Sequence, residues 1–267
     1  MRDITLGQFV AGDSVIHKLD PRTKIGMMIL YIVMTFLVKK IYFLAIPFAY
    51  LVIELVLSGI SLRYILNSLK PIRFLLIFMF LLNLFFTKGE HVWLDLGFWQ
   101  LTGEAVLQSC FLAVRIILLV AGASMLTLTT SPIALTDGIE RLFAPLKIFH
   151  FPAHELAMMM TIALRFVPTL MDESEKIRNA QMSRGADFES GNIFKRVKSM
   201  IPILIPLFVS SFRKADELAI AMESRCYHGG EGRTRMHQLK FRLADLLAIL
   251  ITLAFVAVLI VLLVLFK

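Results

Sequence analysis

Five apolar runs, at residues 25–38, 41–58, 72–87, 105–128 and 243–266, alternate with short polar stretches in the first half of the chain and at its C-terminal end. Each predicts a membrane-spanning helix, because a hydrocarbon core about 30 Å thick takes about 20 apolar residues rising 1.5 Å each. The last two runs reach that length. The shorter ones gain reach when Lys39, Lys40, Arg73 and Lys88 extend their ammonium or guanidinium heads to the interfaces. The first run starts far from the N-terminus and lacks a small-residue cleavage site, so it reads as a retained helix. Residues 88–104, with Trp93 and Trp99, read as an external loop whose aromatics sit at headgroup level.

Between 129 and 242 the pattern changes. Thr129-Thr130-Ser131-Pro132 breaks the fourth helix and opens a long polar segment. Its two apolar runs, Leu156–Leu170 (with Arg165 inside) and Ile201–Phe212 (broken by Pro202 and Pro206), are short for spans and suit burial or an interface, though additional passes also fit them. Met171–Arg184 predicts a charged helix in which Asp172 and Lys176 pair one turn apart. Residues 186–191 form a turn, and Asn192 suits the N-cap of a second long helix. On that helix Leu204, Phe208, Ser211, Ala215, Leu218, Met222 and Cys226 recur at helical spacing, Arg213 and Glu217 pair on the polar side, and residues 229–232 end the element. The expected organisation is a lead-in with four helices over 1–128, a cytoplasmic or interfacial module over 129–242, and a last helix over 243–267. The fold class is an all-α integral membrane protein with about five spans and two long helices outside them.

Composition supports this: 58% of the residues are hydrophobic and 18% charged, with a mean hydropathy of +0.76, too apolar for a soluble domain of this size. With the N-terminus in the cytoplasm, 23 of the 28 lysines and arginines fall inside, the distribution of the positive-inside rule. The net charge of +8 then lies beside anionic headgroups, and no aromatic-and-basic module accompanies it to suggest nucleic acid. Cys110 and Cys226, far apart in the chain, imply neither a disulfide framework nor a zinc site.

One chemical pattern is duplicated. Ala180-Gln181-Met182-Ser183-Arg184-Gly185 and Ala221-Met222-Glu223-Ser224-Arg225-Cys226 lie 41 residues apart, each closing a helical segment that a proline, Pro168 or Pro206, is expected to start. Arginine at a helix C-terminus already meets the negative end of the macrodipole for about 0.3–1 kcal/mol. Small neighbours on both sides, however, let such an end enter a groove, where a planar guanidinium grips carboxylates with two hydrogen bonds. Two ends predict two sockets on a pair of partner subunits. Within the spans, Glu54 and Arg115 are the isolated charges, at depths differing by about 5 Å, and could pair. His150 and His154 are split by Pro152, which argues against a shared metal-binding face, and His228 reads as a solvated loop residue.

These residues resemble the transmembrane T component of energy-coupling-factor transporters, the EcfT family. That family carries two Ala-Arg-Gly motifs at the ends of coupling helices; Ser183-Arg184-Gly185 and Ser224-Arg225-Cys226 stand at the matching places, with Ser for Ala in both and Cys for Gly in the second. The likeness extends through His17–Lys24, Lys70-Pro71-x-Arg73, Arg165-Phe166-x-Pro168 and Tyr227-x-Gly229-Gly230-x-Gly232-Arg233, essentially the whole chain. It implies a non-catalytic scaffold in the bacterial cell membrane that docks two ABC-type ATPases through its coupling helices and binds a separate substrate-capturing membrane S component. ATP and Mg would be used by the ATPases, and this chain would bind no cofactor. The resemblance implies micronutrient uptake: family members serve vitamins and, in dedicated systems, metal ions, and vitamins are favoured here without support from any particular residue.

The residues keep two other classes in view. An intramembrane enzyme needs facing carboxylates, a metal-ligand set or a nucleophile with its base, and Asp137-Gly138 and Glu140-Arg141 supply no second acidic cluster. A free-standing secondary transporter favours two repeated halves around a midplane site, whereas the repeat here is one helix long. The chain also lacks a G-x-x-x-x-G-K-[ST] phosphate loop.

Overall fold

A computed structural model describes residues 9–87, 92–95, 100–145, 152–188, 190, 192–229 and 240–266. The chain forms two compact units, one from residues 7–138 with 238–267 and the other from residues 1–6 with 139–237. The division falls inside a helix, not at the Thr129–Pro132 break.

The first unit is a helical bundle. Helix α1 (Pro21–Leu37) starts where Asp20 accepts the Arg22 N–H at 2.9 Å and Pro21 supplies the fixed φ of a first turn. A short 3₁₀ turn, Ile41–Leu44, leads into α2 (Ala45–Ser58), which ends on Gly59 at φ +65. Helices α3 (Leu62–Leu69) and α4 (Arg73–Phe86) are joined by a 3₁₀ turn at Lys70–Ile72, making one helical stretch, Leu62–Phe86. The expected run at 72–87 is therefore longer than its hydropathy suggests. Arg63 and Lys70 interrupt the apolar pattern without stopping the helix, and Pro71 sits in the tightened turn, where a missing N–H does least harm. Helix α5 (Gly103–Thr129) follows an antiparallel pair of strands, Val92–Asp95 and Gln100–Thr102, where a loop was expected; Trp99 lies outside the described residues. Helices α6 (Pro132–Phe143) and α9 (Leu243–Leu265) complete the set, α6 being unforeseen because its apolar pattern is short and mixed with charge.

Among the described residues, four helical stretches are long and apolar enough to cross a membrane: Ile41–Ser58, Leu62–Phe86, Gly103–Thr129 and Leu243–Leu265. The first expected span is α1, whose 17 residues rise only about 25 Å. It packs against α5 and α9 instead of presenting itself all round. Tyr31, Met34 and Val38 are buried there, and a side chain at Gly122 of α5 would run into the Tyr31 ring. The Tyr31 hydroxyl donates to the Leu118 carbonyl at 3.0 Å, its ring stacks on Tyr50 at 5.6 Å, and the Tyr50 hydroxyl meets that of Thr252 at 3.1 Å. Such hydrogen bonds satisfy polar groups that hydrocarbon cannot.

The lead-in forms a strap over the start of α1. Val10 N–H donates to the Leu128 carbonyl at 3.0 Å, and His17 bridges Ser14 and the Val10 carbonyl. Buried Lys24 donates to the carbonyls of His17 (3.1 Å) and Thr129 (2.9 Å). Asp245, 1% exposed, is shared by two helix starts: one oxygen accepts the Asp20 N–H at 2.7 Å and the other the Arg242 N–H at 2.8 Å. One carboxylate thus ties α1 to α9.

The second unit is built on α7 (Ala153–Ser183) and α8 (Ile193–Glu223), 31 residues each, which pack together. Neither helix starts at the proline expected to open it. Pro168, Pro202 and Pro206 all lie inside, so the apolar runs Leu156–Leu170 and Ile201–Phe212 continue unbroken into the charged pieces. A lost N–H bends a helix but does not end one whose faces are held by packing. The Asn192 backbone carbonyl accepts the Arg196 N–H at 3.0 Å, which places Asn192 at the start of α8, where it was expected. The Glu173 carboxylate on α7 accepts from Ser210 and Lys214 on α8, while the Tyr227 hydroxyl lies 3.0 Å from the Met158 sulfur. Moving back along one helix means moving forward along the other, so the pair runs antiparallel.

The packed face of α8 matches the expected stripe at Ser211, Leu218 and Met222 and departs from it at Leu204, Phe208, Ala215 and Cys226, which are exposed. Leu204 and Phe208 are 47% and 62% exposed, whereas Ile203, Leu207, Ser210, Ser211, Lys214, Leu218 and Met222 are shielded. The two faces overlap at their centre, and only the antiparallel partner decides which flanking positions are covered. The Asp172–Lys176 and Arg213–Glu217 pairs do not form. Glu173 and Lys214 pair across the helices instead, with side chains 25% and 27% exposed.

Candidate functional site

Both arginine motifs close their helices with the same backbone arrangement. At the end of α7, Gly185 N–H donates to the Met182 carbonyl at 3.0 Å and Ala186 N–H to that of Gln181 at 3.0 Å. At the end of α8, Cys226 N–H donates to the Glu223 carbonyl at 2.9 Å and Tyr227 N–H to that of Met222 at 3.0 Å. These are paired Schellman closures, with the arginine at the C-cap and the following residue left-handed. Gly185 takes φ +86 and Cys226 takes φ +56. The duplication read in the sequence is therefore a duplication of shape, and the Cys that departs from the family pattern adopts the glycine-like backbone regardless. It also ends α8 at Glu223, before the glycines at 229–232 that were expected to stop it.

A side chain at positive φ costs about 1–2 kcal/mol relative to the right-handed form. Replacing Cys226 with Gly is therefore expected to stabilise the second unit by about 1 kcal/mol. The measurement is the unfolding midpoint in detergent; a lower midpoint would mean that the sulfur makes a compensating contact.

Ser183, Arg184 and Gly185, and likewise Ser224, Arg225 and Cys226, are exposed. Among the described residues neither guanidinium has a side-chain partner; Ser183 and Ser224 turn their hydroxyls back onto the carbonyls of Asn179 (3.1 Å) and Ala221 (3.0 Å). That back-bonding leaves the arginines as the polar groups free to engage a partner. The terminal carbonyls around them add negative dipole, so an incoming carboxylate must bind the guanidinium more strongly than it is repelled by the helix end.

The structure does not bring Glu54 and Arg115 together. Arg115 donates to the Val38 carbonyl and lies 4.3 Å over the Phe111 ring, whereas Glu54 lines a small cavity with Lys24, Tyr31 and Tyr50. Similar depth along two helices says nothing about which faces meet. Glu140 on α6 meets His154 on α7 at 3.1 Å; His150 lies outside the described residues, and His228 is exposed. Among the described residues no group of three or more His, Cys, Asp or Glu could hold a metal ion. Sequence reasoning missed Glu173, Lys214 and Asp245. The first two carried a usable signal, because they stand 41 residues apart like the arginines; Asp245, two residues into the last helix, had only the general bias of acidic residues toward helix starts.

Residues 12–237 match the family described as CbiQ, cobalt transport protein. Three similar proteins carry the description energy-coupling factor transporter transmembrane protein EcfT. The one from Thermosediminibacter oceani is 52% identical over 252 residues, covering 94% of this chain and 95% of its own length. That from Ruminiclostridium cellulolyticum is 52% identical, covering 96% and 95%, and that from Clostridium kluyveri 50% identical, covering 97% and 96%.

Proposed function

This chain belongs to the EcfT family, the transmembrane proteins of energy-coupling factor transporters, and from that premise we propose that it carries ATP-driven motion from two ABC-type ATPases to a substrate-capturing membrane subunit. It is a non-catalytic, multi-pass membrane subunit. In this reading Arg184 seats in one ATPase and Arg225 in the other, with Ser183, Gly185, Ser224 and Cys226 leaving room for the socket walls. ATP and Mg act in the partners, and this chain binds no cofactor. When nucleotide closes the ATPase pair, the seated ends move and the paired helices pass that movement to the rest of the assembly. The N-terminus and residues 129–242 lie on the cytoplasmic side, where the basic residues concentrate.

The observation that carries the reading is the repeated closure: two exposed arginines on identical helix ends, at opposite extremities of one antiparallel pair. A single ligand would need one such end; two related ATPases need two. The cargo is a micronutrient, and we favour a vitamin, with selectivity residing in the separate membrane subunit. Purifying the tagged chain from its native membrane is expected to bring down one ATPase for each arginine end and one small membrane subunit. Recovery of the chain alone, with the bundle intact, would sink the proposal.

A further inference from the structure

The 41-residue repeat extends well behind the arginines. Ile162, Phe166, Leu170, Glu173, Ile177 and Gln181 on α7 are all partly shielded, and so is each residue 41 positions later on α8. The two helices therefore present the same face to each other, as the halves of a pseudo-twofold pair do. In an antiparallel pair with that symmetry, only the central positions meet their own equivalents. Glu173 and Lys214 are such equivalents, and they are joined as an ion pair, with Ser210 one turn back on α8 holding the second carboxylate oxygen. The shielded positions two turns or so to either side are mostly apolar.

We infer that the Glu173–Lys214–Ser210 cluster is a register pin that sets the distance between the two arginine ends. Arg184 stands 11 residues after Glu173, and Arg225 stands 11 after Lys214. The ends lie in opposite directions from the pin, so each arm is about 16 Å long and the ends are about 33 Å apart measured along the helices. An apolar face repeating every three or four residues packs almost as well after a slip of one turn. Such a slip lengthens or shortens the separation by about 5.4 Å. One charged cluster in the middle of the seam disfavours it, because the slipped register separates the Glu173 carboxylate from both Lys214 and Ser210, the way a single polar residue sets register in a coiled coil. A groove of about 550 Å³ beside the pin, lined by Thr169, Asp172, Lys176 and Ala180 as well as Glu173 and Lys214, leaves the cluster reachable by water. Glu173, Ser210 and Lys214 are thus positioning residues, and their contribution to transport rests on the reading of the arginine ends given above.

The test has two arms. Spin labels on unnatural amino acids at Asn179 and Ile220, equivalent positions near the two ends, report their separation in the full-length chain in detergent, with Cys110 and Cys226 left in place. The parent is expected to give one narrow distance; Glu173→Gln and Lys214→Met each add a population displaced by about 5 Å. The charge swap, Glu173→Lys with Lys214→Glu, is expected to bring back the single distance. In the second arm, hydrolysis of MgATP by the co-purified complex in vesicles is measured, and it is expected to fall about twofold or more in each single variant and recover in the swap. Unchanged distances in the single variants overturn the pin. Displaced distances with unchanged MgATP hydrolysis overturn its role in positioning. Failure of any ATPase to co-purify with the parent chain counts against the docking reading alone, since the first arm is read without a partner.

Discussion

Replacing Arg184 and Arg225 together with alanine is expected to leave the purified chain with neither ATPase. Truncating one partner of a buried, hydrogen-bonded charge pair at an interface costs about 2–5 kcal/mol. At about 1.4 kcal/mol per tenfold, each lost arginine weakens its own socket by roughly 30-fold to several thousandfold. The two ends lie at opposite extremities of the helix pair, so the single variants should weaken one attachment each and leave the other near its parent affinity. Lysine in place of either arginine keeps the charge and loses the planar fork, and should fall between. The measurement is co-purification followed by titration of each ATPase onto the chain in detergent. Full retention of both ATPases by the double alanine variant would remove the arginines from the account.

The largest loss of stability is expected from Asp245→Ala. The Asp245 carboxylate is the acceptor for two amides, Asp20 N–H at 2.7 Å and Arg242 N–H at 2.8 Å, and it is 1% exposed. Removing it leaves both donors without that acceptor, and an unsatisfied buried donor costs about 1–3 kcal/mol. Only the Asp20 amide is buried; Arg242 is exposed, so losing its bond removes about 1 kcal/mol of helix capping and the total is about 2–4 kcal/mol. Asp245→Asn keeps one acceptor oxygen and should lose about half as much. Two readouts apply: the unfolding midpoint in detergent, and the rate of tryptic cleavage at Arg22 and Lys24, of which Lys24 is 6% exposed in the folded chain. A midpoint and a cleavage rate equal to those of the parent would show that the shared cap is dispensable.

The sequence made two features plain because each repeats or persists. Long apolar runs announce spans whatever their surroundings, so the runs at 105–128 and 243–266 match α5 and α9 almost to the residue. The arginine ends announced themselves by recurring. What stayed hidden depends on which faces meet. Leu204 and Phe208 have the right spacing for a packed stripe, and the partner helix selects Ile203 and Leu207 instead. Asp172 and Lys176 stand one turn apart on a single helix, yet the ion pair that forms is Glu173 with Lys214, between helices. Glu54 and Arg115 have similar depth and turn to different neighbours. Proline misled in another way. Pro168 and Pro206 read as helix starts, whereas lateral packing carries both helices through them. Arg63 and Lys70 hid the first half of the Leu62–Phe86 stretch, because charges break an apolar run that the helix itself continues through, Arg63 at its start and Lys70 in its internal turn.

The tie between Asp20 and Asp245 also constrains how the molecule is made. Those residues are separated by 225 positions, so the first helix leaves the ribosome long before its anchor has been translated. Until then the amide of Asp20 has no acceptor from α9, and Lys24 can hold only the carbonyls of His17 and, once α5 exists, Thr129. Domains generally assemble as the nascent chain emerges, but here the first helix is locked by a residue translated 225 positions later. A chain cut short before Asp245 is therefore expected to leave the start of α1 without its buried acceptor.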